Sequence, residues 1–393
     1  MRGRNRPARA SARPLRIALF SGNYNYVRDG ANQALNRLVA YLERQGVAVR
    51  VYSPTSPTPA FAPAGTLVPV PSIRFPGRGE YRIAMGLPRR VRADLDAFAP
   101  DLVHLSAPDL LGLAAQRWAK ARGLPVVTSL HTRFETYCDY YGLSWLRPTV
   151  ERHLARFYDR SDYVLVPNQA VATEMARTDD GIRVWGRGVE RRLFDPARRS
   201  LAFRRAHGIG DDELALLFFG RLVVEKGVDI FVETVRRLEN QGVPVRPLVV
   251  GEGPARSRFA ALPGAVLTGH LAGEALGTAV ASADIVLNPS RTEAFGNVVL
   301  EAMASGLAIV SADAPSARAL VAPGRSGLLV AAQDAAAYAA AVRGLALTPA
   351  LRRRLGGAAR TASAQWSWDA ALGSVLAVYR EALGLMPALA DAA

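Results

Sequence analysis

The sequence predicts an α/β protein with two doubly wound domains, each built on a parallel sheet. Its 393 residues are too many for one compact core and enough for two domains. Short apolar runs, typical of buried strands, alternate with helical patterns through both halves of the chain. Residues 183–196 (RVWGRGVERRLFDP) interrupt this alternation, and Gly186 and Gly188 indicate a hinge between the halves.

The first half opens with a βαβ unit. We expect a strand in LRIALFSG, a helix from Gly30 to Gln45 and a second strand in VAVRVYS. One face of this helix is apolar, with Leu35, Leu38, Val39 and Leu42. Further strands are expected at 101–106, 125–130 and 162–167. Strands that alternate with helices favour a parallel sheet covered on both faces.

The second half repeats the alternation to about residue 347. A buried strand is expected at 214–219 and an amphipathic helix is expected to open at Gly227. Arg221 and Lys226 lie on the loop between them, and α/β sheets bind ligands at the carboxyl ends of their strands. A guanidinium fork and a compact ammonium both suit pyrophosphate oxygens.

Residues 284–311 (DIVLNPSRTEAFGNVVLEAMASGLAIVS) carry the most information about function. A short strand leads through a loop to a helix that should begin at Gly296 and Asn297. Glu293 lies in the loop and Glu301 about one turn inside the helix. The unpaired amides of the first turn can bind a pyrophosphate, and a carboxylate on each side can accept hydrogen bonds from sugar hydroxyls. This pattern indicates a site for a nucleotide-activated sugar.

EAFGNVVLE, with the flanking PSRTEAFG and EAMASGLAIV, resembles the paired-glutamate motif of glycosyltransferase family 4. These are retaining enzymes with the GT-B fold, in which two Rossmann-like domains face a central cleft. FFGRLVVEKG resembles the family's diphosphate-binding loop, which implies that Arg221 and Lys226 hold the donor diphosphate. We expect Glu293 to bind the sugar hydroxyls and Glu301 the ribose. The remaining donor contacts expected from the resemblance are Ala294, Phe295, Gly296, Asn297 and Val298, with His270 and Leu271 of LTGHLAGE beside the base.

In the first domain, the resemblance points to the turn before the first helix. This turn lacks Gly-x-Gly-x-x-Gly, and the second strand ends without an acidic residue, which counts against a nicotinamide cofactor. The family has a Gly-Gly pair there, whereas this chain reads Asp29-Gly30. That form resembles a subgroup with GDP-mannose-dependent α-mannosyltransferases and sulfoquinovosyl-diacylglycerol synthases. Gly30 is the expected close-approach residue, and Asn32 either binds the donor or caps the helix.

His131 matches a family histidine that contacts the donor sugar or the acceptor phosphate. The aromatic-rich loop beyond it covers the acceptor or is ordinary packing; its members are Phe134, Tyr137, Tyr140, Tyr141 and Trp145. The resemblance implies catalysis by His131, Arg221, Lys226 and Glu293, with the leaving phosphate accepting the acceptor proton. A covalent role for Glu293 is the less favoured route.

The break at residues 183–196 and the arginine-rich composition of the first residues give the domain limits, and the closing segment resembles the final helix of GT-B enzymes. We expect a disordered basic tail at 1–14, an acceptor domain at 15–186, a donor domain at 187–365, and a closing helix at 366–393 that returns to the first domain. No cofactor or metal is expected, because cations replace the metal. The only Asp-x-Asp, Asp94-Leu95-Asp96, lies in a helical pattern and is interpreted as a solvated face.

The charge balance, 49 basic against 34 acidic residues, gives a net charge of +15 and favours anionic partners. Residues 74–92 mix arginines with apolar side chains, which indicates a surface for anionic lipid or a glycolipid acceptor, or merely solvated arginines. One cysteine, Cys138, fits a reducing cytoplasm. No run of eighteen apolar residues exists, so a membrane span is not expected. We therefore expect a cytoplasmic enzyme, peripheral on the inner membrane face.

The favoured function is a retaining hexosyltransferase that moves mannose from GDP-mannose to a lipid, lipid-linked or glycan acceptor. A UDP-sugar donor is the alternative within the same fold. An inactive scaffold or a basic nucleic-acid-binding protein are alternatives of another class. Nucleic acid is the less expected partner, because it explains none of the paired motifs.

Overall fold

The computed structural model describes residues 13–27, 30–75, 78–131, 144–175, 181–331 and 333–385. They fall into two compact units. Unit 1 comprises Met1–Gly186 with Asp369–Ala393, and unit 2 comprises Arg187–Trp368. Each unit is an α/β structure with its own parallel sheet.

The strands in chain order are β1 (Arg16–Phe20), β2 (Ala48–Ser53), β3 (Thr66–Pro69), β4 (Ser72–Phe75), β5 (Arg78–Ala84), β6 (Leu102–Leu105), β7 (Val126–Ser129), β8 (Tyr163–Val166), β9 (Ile182–Val184), β10 (Ala215–Phe219), β11 (Arg246–Val250), β12 (Val266–Gly269), β13 (Ile285–Asn288), β14 (Ala308–Ala312) and β15 (Leu328–Val330).

The helices are α1 (Gly30–Arg44), α2 (Arg89–Phe98), α3 (Leu110–Ala121), α4 (Arg147–Asp159), α5 (Gln169–Met175), α6 (Leu201–Ala206), α7 (Val228–Asn240), α8 (Arg256–Ala260), α9 (Gly273–Ala281), α10 (Asn297–Ala304), α11 (Pro315–Arg318), α12 (Ala335–Leu347), α13 (Pro349–Ser363) and α14 (Trp368–Ala382).

The sheet of unit 1 has the order β3-β2-β1-β6-β7-β8-β9, and all its pairings are parallel. From β1 the chain first builds outward to β2 and β3, and then returns to the other side of β1 with β6. The order therefore reverses between β1 and β6, and the carboxyl ends of these two strands flank a crevice of the kind that binds ligands in doubly wound sheets. Strands β4 and β5 form a separate antiparallel hairpin.

The sheet of unit 2 has the order β12-β11-β10-β13-β14-β15, again parallel throughout. Its order reverses between β10 and β13. The residues of β10 alternate between two apolar clusters: Leu217 and Phe219 pack on one face of the sheet, and Leu216 and Phe218 on the other. The sheet is thus buried on both faces, which explains why its strands read as continuous apolar runs.

The predicted fold class is confirmed in both sheets, with two differences in detail. Residues 183 and 184 were placed at the start of the interruption before the second half, but with Ile182 they form β9 and pair with β8. The segment between the first two strands of unit 1 and α2 contains β3, β4 and β5, which the alternation of patterns did not predict. These strands are short, and β3 is largely exposed or half-buried, so they carry little apolar periodicity.

Gly188, one of the two predicted hinge glycines, has crowded surroundings. A Cβ there would lie 2.1 Å from the backbone nitrogen of Trp368. The neighbouring Val189 amide donates to the Trp366 carbonyl at 3.2 Å. Within unit 2, the segment that enters the unit and the segment that leaves it therefore run against each other, at a distance that only glycine permits.

Candidate active site

Two loops of unit 2 meet where its strand order reverses. The loop after β10 passes through a 3₁₀ turn at Val224–Lys226 and ends at Gly227, which has φ +76° and opens α7. A Cβ on Gly227 would lie 2.8 Å from the ring of Pro289, which follows β13. The hydroxyls of Ser290 and Thr292 also approach the Glu225 carbonyl, at 3.5 and 3.3 Å. The two loops are therefore fastened together by backbone packing and by hydroxyl contacts.

An ion pair joins the same two loops. Lys226 Nζ lies 2.5 Å from Glu293 Oε1, and the side chains are 20% and 15% exposed. Both residues were predicted for the donor site, but their direct contact was not. Each charge compensates the other in a largely desolvated position, where an unpaired charge would be costly.

Helix α10 begins beside this ion pair. Its N-cap, Gly296, has φ +95°, and no side chain caps the first turn. Phe295 is buried with its ring edge-on to Trp366 at 5.3 Å, which anchors the entry to the helix. The Asn297 side-chain oxygen is buried and has no hydrogen-bond partner among the residues described. The amides and this oxygen are polar groups placed for a ligand.

The rest of the paired-glutamate motif lies along the same turn. Ala294 and Val298 are half-buried, and Glu301, also half-buried, lies inside α10 one turn beyond Asn297. Arg221 is half-buried on the loop after β10, directly after Gly220. The structure therefore brings both predicted loops to one edge of the sheet.

The loop after β11 packs directly against the arginine loop. A Cβ on Gly251 would lie 1.9 Å from the Gly220 carbonyl oxygen, and one on Gly253 would lie 2.4 Å from the Leu222 carbonyl oxygen. The Leu222 amide donates to the Glu252 carbonyl at 2.9 Å. Both glycines have φ values near +150°, at +144° and +156°, where other residues are strained. They bring the backbone of one strand's loop close to that of the next.

His270 and Leu271 follow the neighbouring strand β12. His270 is exposed and Leu271 half-buried, and the Gly251 amide donates to the Gly269 carbonyl at 2.8 Å just before them. They share the carboxyl edge of the sheet with the loops of Arg221 and Glu293.

In unit 1, His131 lies two residues beyond β7. Its Nε2 is 2.7 Å from Ser129 Oγ, and its ring is edge-on to Trp185 with the centroids 5.1 Å apart. Gly30 is exposed at the start of α1. Asn32 is buried, and its amide nitrogen donates to the Val27 carbonyl at 2.9 Å, a contact that ties α1 to the turn before it. Trp145 is 75% exposed.

The other predicted residues of this region, Asp29, Phe134, Tyr137, Cys138, Tyr140 and Tyr141, lie outside the described residues.

The sequence interpretation did not identify Asp109. It lies beyond β6, beside the reversal of strand order in unit 1, and its carboxylate caps α3 by accepting from the Gly112 amide at 2.7 Å. Burial raises the pKa of Asp109 to about 6 despite this bond. The available signal was an aspartate immediately before an apolar helical run.

The interpretation of Asp94 as part of a solvated face was wrong. Its carboxylate accepts hydrogen bonds from Arg50 at 2.7 Å and from the Tyr52 hydroxyl at 2.8 Å, which tie α2 to β2. Asp96 pairs with Arg122 at 3.0 Å on the surface. Within the described ranges, no group of three or more histidine, cysteine, aspartate or glutamate side chains is arranged to hold a metal.

The region of residues 74–92 covers the end of β4, all of β5 and the start of α2. Ile73 and Met85, both near the open end of the hairpin, are 55% and 68% exposed. The exposed arginines close to them in sequence are Arg74, Arg89, Arg90 and Arg92. Over the part of the chain that is described, no helix is both long and apolar enough to cross a membrane.

Each of the two units is built on a parallel sheet, and in unit 2 two loops and a helix without a side-chain cap meet where the strand order reverses. This combination defines a glycosyltransferase of the GT-B type. Residues 28–193 match Glycosyltransferase Family 4, and residues 213–347 match Glycosyl transferases group 1. The chain is 32% identical over 379 residues to a GDP-mannose-dependent alpha-mannosyltransferase of Mycolicibacterium smegmatis, covering 94% of this chain and 98% of that one. The chain belongs to glycosyltransferase family 4, as the sequence motifs predicted, and is a hexosyltransferase.

Other similar proteins agree with this assignment. Sulfoquinovosyl transferase SQD2 of Arabidopsis thaliana is 29% identical over 374 residues, covering 92% of this chain and 72% of that protein. Among solved structures, sucrose-phosphate synthase of Thermosynechococcus elongatus superposes with a TM-score of 0.78 at 21% identity, covering 95% of this chain and all of that one. HepE of Anabaena in complex with UDP-glucose gives a TM-score of 0.71 at 17% identity, covering 93% of this chain and all of that one. These structures are similar in fold.

Proposed function

We propose that the enzyme transfers a hexose, with retention, from a nucleoside-diphosphate sugar bound at the β10–β13 reversal point. The observation that carries the proposal is the contact between Lys226 and Glu293 beside the start of α10. A cation for phosphate, a carboxylate for hydroxyls and unpaired helix amides meet there within one small volume. These are the groups that a sugar diphosphate requires.

The diphosphate is proposed to lie against Arg221, Lys226 and the first amides of α10. Without donor, Lys226 is neutralised by Glu293. When the donor binds, the phosphate oxygens replace the carboxylate as partners of the ammonium, and sugar hydroxyls donate to the carboxylate. The exchange keeps both charges compensated, so neither loop has to carry a buried unpaired charge.

The two glutamates are proposed to hold different parts of the donor. Glu293, in contact with Lys226, is next to the diphosphate and is assigned to the sugar hydroxyls. Glu301 lies one turn along α10 and is assigned to the ribose. His270 and Leu271, on the neighbouring loop after β12, are assigned to the base.

In the proposed reaction, the bond between the anomeric carbon and the diphosphate oxygen breaks, and a bond from that carbon to the acceptor oxygen forms on the same face. The acceptor proton passes to the leaving diphosphate. Arg221, Lys226 and the helix amides stabilise the charge that develops on that group, which is normally the largest contribution to such catalysis. In this reaction Glu293 accepts hydrogen bonds from the sugar hydroxyls, and its covalent attack on the anomeric carbon is the less favoured route.

GDP-mannose is the proposed donor. Two relatives at 32% identity are named as GDP-mannose-dependent alpha-mannosyltransferases. Calorimetry with GDP, UDP, GDP-mannose and UDP-glucose tests the choice directly. GDP and GDP-mannose should bind, and UDP and UDP-glucose should bind at least tenfold more weakly. The opposite order would replace GDP-mannose with a UDP-sugar and leave the proposed reaction intact.

Transfer itself is tested with Lys226→Met, which keeps the length of the side chain. Turnover should fall by about 10²–10³-fold, as for loss of one donor to a developing oxyanion. Arg237→Met, on the exposed face of α7 in the same unit, is the matched control and should leave turnover unchanged. Donor binding without any turnover in the wild type would favour the inactive-scaffold alternative.

The acceptor is proposed to be a lipid or a lipid-linked sugar at the cytoplasmic membrane face. Exposed Ile73 and Met85 accompany the arginines of residues 74–92, and each cation near an anionic bilayer contributes about 1 kcal/mol of attraction. Vesicle sedimentation should show binding to anionic but not zwitterionic lipid, weakened by salt.

The matched variants for this assay remove three positive charges each. Arg89, Arg90 and Arg92 changed together to glutamine should abolish vesicle binding. The same change at the exposed unit 2 positions Arg236, Arg353 and Arg354 should not. Equal losses in the two variants would point to net charge alone, and no binding by the wild type at low salt would favour an acceptor free in solution. The same assay with residues 1–14 removed separates the contribution of the basic tail.

A further inference from the structure

Four side chains of unit 1 form a continuous hydrogen-bonded chain from α14 to His131. The Tyr379 hydroxyl contacts His104 Nδ1, His104 Nε2 lies 2.8 Å from Ser129 Oγ, and Ser129 Oγ lies 2.7 Å from His131 Nε2. Tyr379, His104 and Ser129 are almost completely buried. Ser129 and His131 are two residues apart at the end of β7, a spacing that directs side chains to the same face of an extended chain.

The direction of these bonds follows from the number of hydrogens available. Burial lowers the pKa of His104 to about 3, so its ring is neutral and has a single N–H. Among the described residues, the Tyr379 hydroxyl has one polar partner, His104 Nδ1. If Tyr379 donates to Nδ1, the hydrogen of His104 is on Nε2 and is donated to Ser129. The Ser129 hydroxyl then donates to His131 Nε2.

The opposite direction leaves one hydrogen without an acceptor. His104 would donate from Nδ1 to the Tyr379 oxygen, and the hydroxyl hydrogen of Tyr379 would have no partner within the described structure. A fully buried donor without an acceptor is disfavoured. The first direction satisfies every hydrogen of Tyr379, His104 and Ser129.

We propose that Tyr379, His104 and Ser129 are positioning residues that hold His131 in the Nδ1–H tautomer. Nε2 of His131 is then an acceptor for Ser129, and Nδ1 carries the hydrogen. Trp185, edge-on to the same ring at 75°, restricts its rotation. The consequence for the transfer reaction rests on the proposed function. In that reaction His131 donates a hydrogen bond from Nδ1 to an oxygen of the sugar or acceptor, and it does not act as a general base through Nε2.

Nitrogen NMR of protein labelled with ¹⁵N-histidine tests the tautomer without donor or acceptor. The chain has five histidines, and His131→Gln identifies the signals of His131. In the wild type, neutral His131 should show a protonated Nδ1 and an unprotonated Nε2. Tyr379→Phe removes the hydroxyl that sets the direction and should give a mixture of tautomers. Tyr338→Phe, which removes a buried hydroxyl with no hydrogen-bond partner in the described part of the chain, should leave the signals unchanged.

Kinetics then separate positioning from a general effect on folding. Tyr379→Phe and Ser129→Ala should each lower kcat by about tenfold, comparable to the low end of the roughly 10–100-fold losses seen when the hydrogen-bond partners of metal-binding histidines are removed. In a His131→Gln background, Tyr379→Phe should produce no further loss. A persistent loss there, or an Nε2–H tautomer of His131 in the wild type, would overturn the proposal. The wild-type spectrum decides even if a variant fails to fold or the donor is not the one proposed.

Discussion

The ion pair between Lys226 and Glu293 should couple two loops energetically before any donor binds. The proposed perturbation is a double-mutant cycle with Lys226→Met and Glu293→Gln, which preserve length and shape. The side chains are 20% and 15% exposed and 2.5 Å apart, so the pair lies between a surface pair and a buried one. Surface pairs contribute about 0.2–1 kcal/mol, whereas removing one partner of a buried pair costs about 3–5 kcal/mol.

We expect each single substitution to lower the free energy of unfolding of unit 2 by about 1.5–3 kcal/mol, the range for hydrogen bonds to charged groups. The double variant should lose about as much as one single variant, because it removes both charges and leaves no unpaired charge behind. This gives a coupling free energy of about 1.5–3 kcal/mol, which exceeds the roughly 0.3–0.5 kcal/mol within which the effects of independent sites add.

The assay is urea unfolding of the donor-free protein, followed by fluorescence and by circular dichroism to detect separate transitions of the two units. Glu233 and Arg237, an exposed pair 2.8 Å apart on α7, provide the control cycle, with an expected coupling of about 0.3–0.5 kcal/mol. If the Lys226–Glu293 cycle gives no more coupling than this control, the pair does not fasten the loops and the reasoning fails.

Three further predictions concern other residues. Glu301→Ala should weaken GDP binding by about ten- to a hundred-fold, whereas Glu293→Ala should leave GDP binding unchanged and weaken GDP-mannose binding. If calorimetry finds equal effects of the two substitutions on GDP binding, the assignment of different roles to the two glutamates is contradicted. Gly251→Ala would place a Cβ 1.9 Å from a backbone carbonyl oxygen and should abolish donor binding. It should also destabilise unit 2 by more than Gly242→Ala, a position with open space that measures only the left-handed backbone strain of about 1–2 kcal/mol. Similar unfolding curves for the two variants would refute the close approach. Burial raises the pKa of Asp109 from 3.8 to about 6, so the native state binds this proton more tightly than the unfolded chain, and the free energy of unfolding should fall as pH rises from about 4 to 6. In urea unfolding, Asp109→Asn should remove this fall of about 3 kcal/mol. An unchanged pH dependence in the variant would argue against the prediction.

Much of unit 2 could be predicted because its local signals agree with its tertiary structure. The strand before Arg221 is a continuous apolar run, and glycine marks the start of the helix on either loop. The contact between Lys226 and Glu293 could not be predicted in the same way. It joins residues 67 positions apart, and it depends on β13 being the neighbour of β10 in the sheet. Sequence spacing alone does not give the order of strands.

The chain from Tyr379 to His131 shows a stronger form of the same limit. His104 and Tyr379 are 275 positions apart; in the sequence His104 lies within an apolar run and Tyr379 ends one. A period of two or of 3.6 predicts that such residues are buried, but not which buried group they meet. Asp94 was misinterpreted for a related reason, since its partners Arg50 and Tyr52 are on β2.

Helix α14 belongs to unit 1, although nearly all of unit 2 precedes it in the chain. A ribosome therefore completes the synthesis of Arg187–Trp368 before it adds Tyr379. Domains commonly fold in the order of their synthesis, the amino-terminal one first. Here we expect unit 2 to be completed before unit 1. All segments of unit 2 are synthesised before Tyr379, whose hydroxyl orients the His104 ring of unit 1. A stop codon just before Asp369 should accordingly destabilise unit 1, which is synthesised first, and leave the sheet of unit 2 intact.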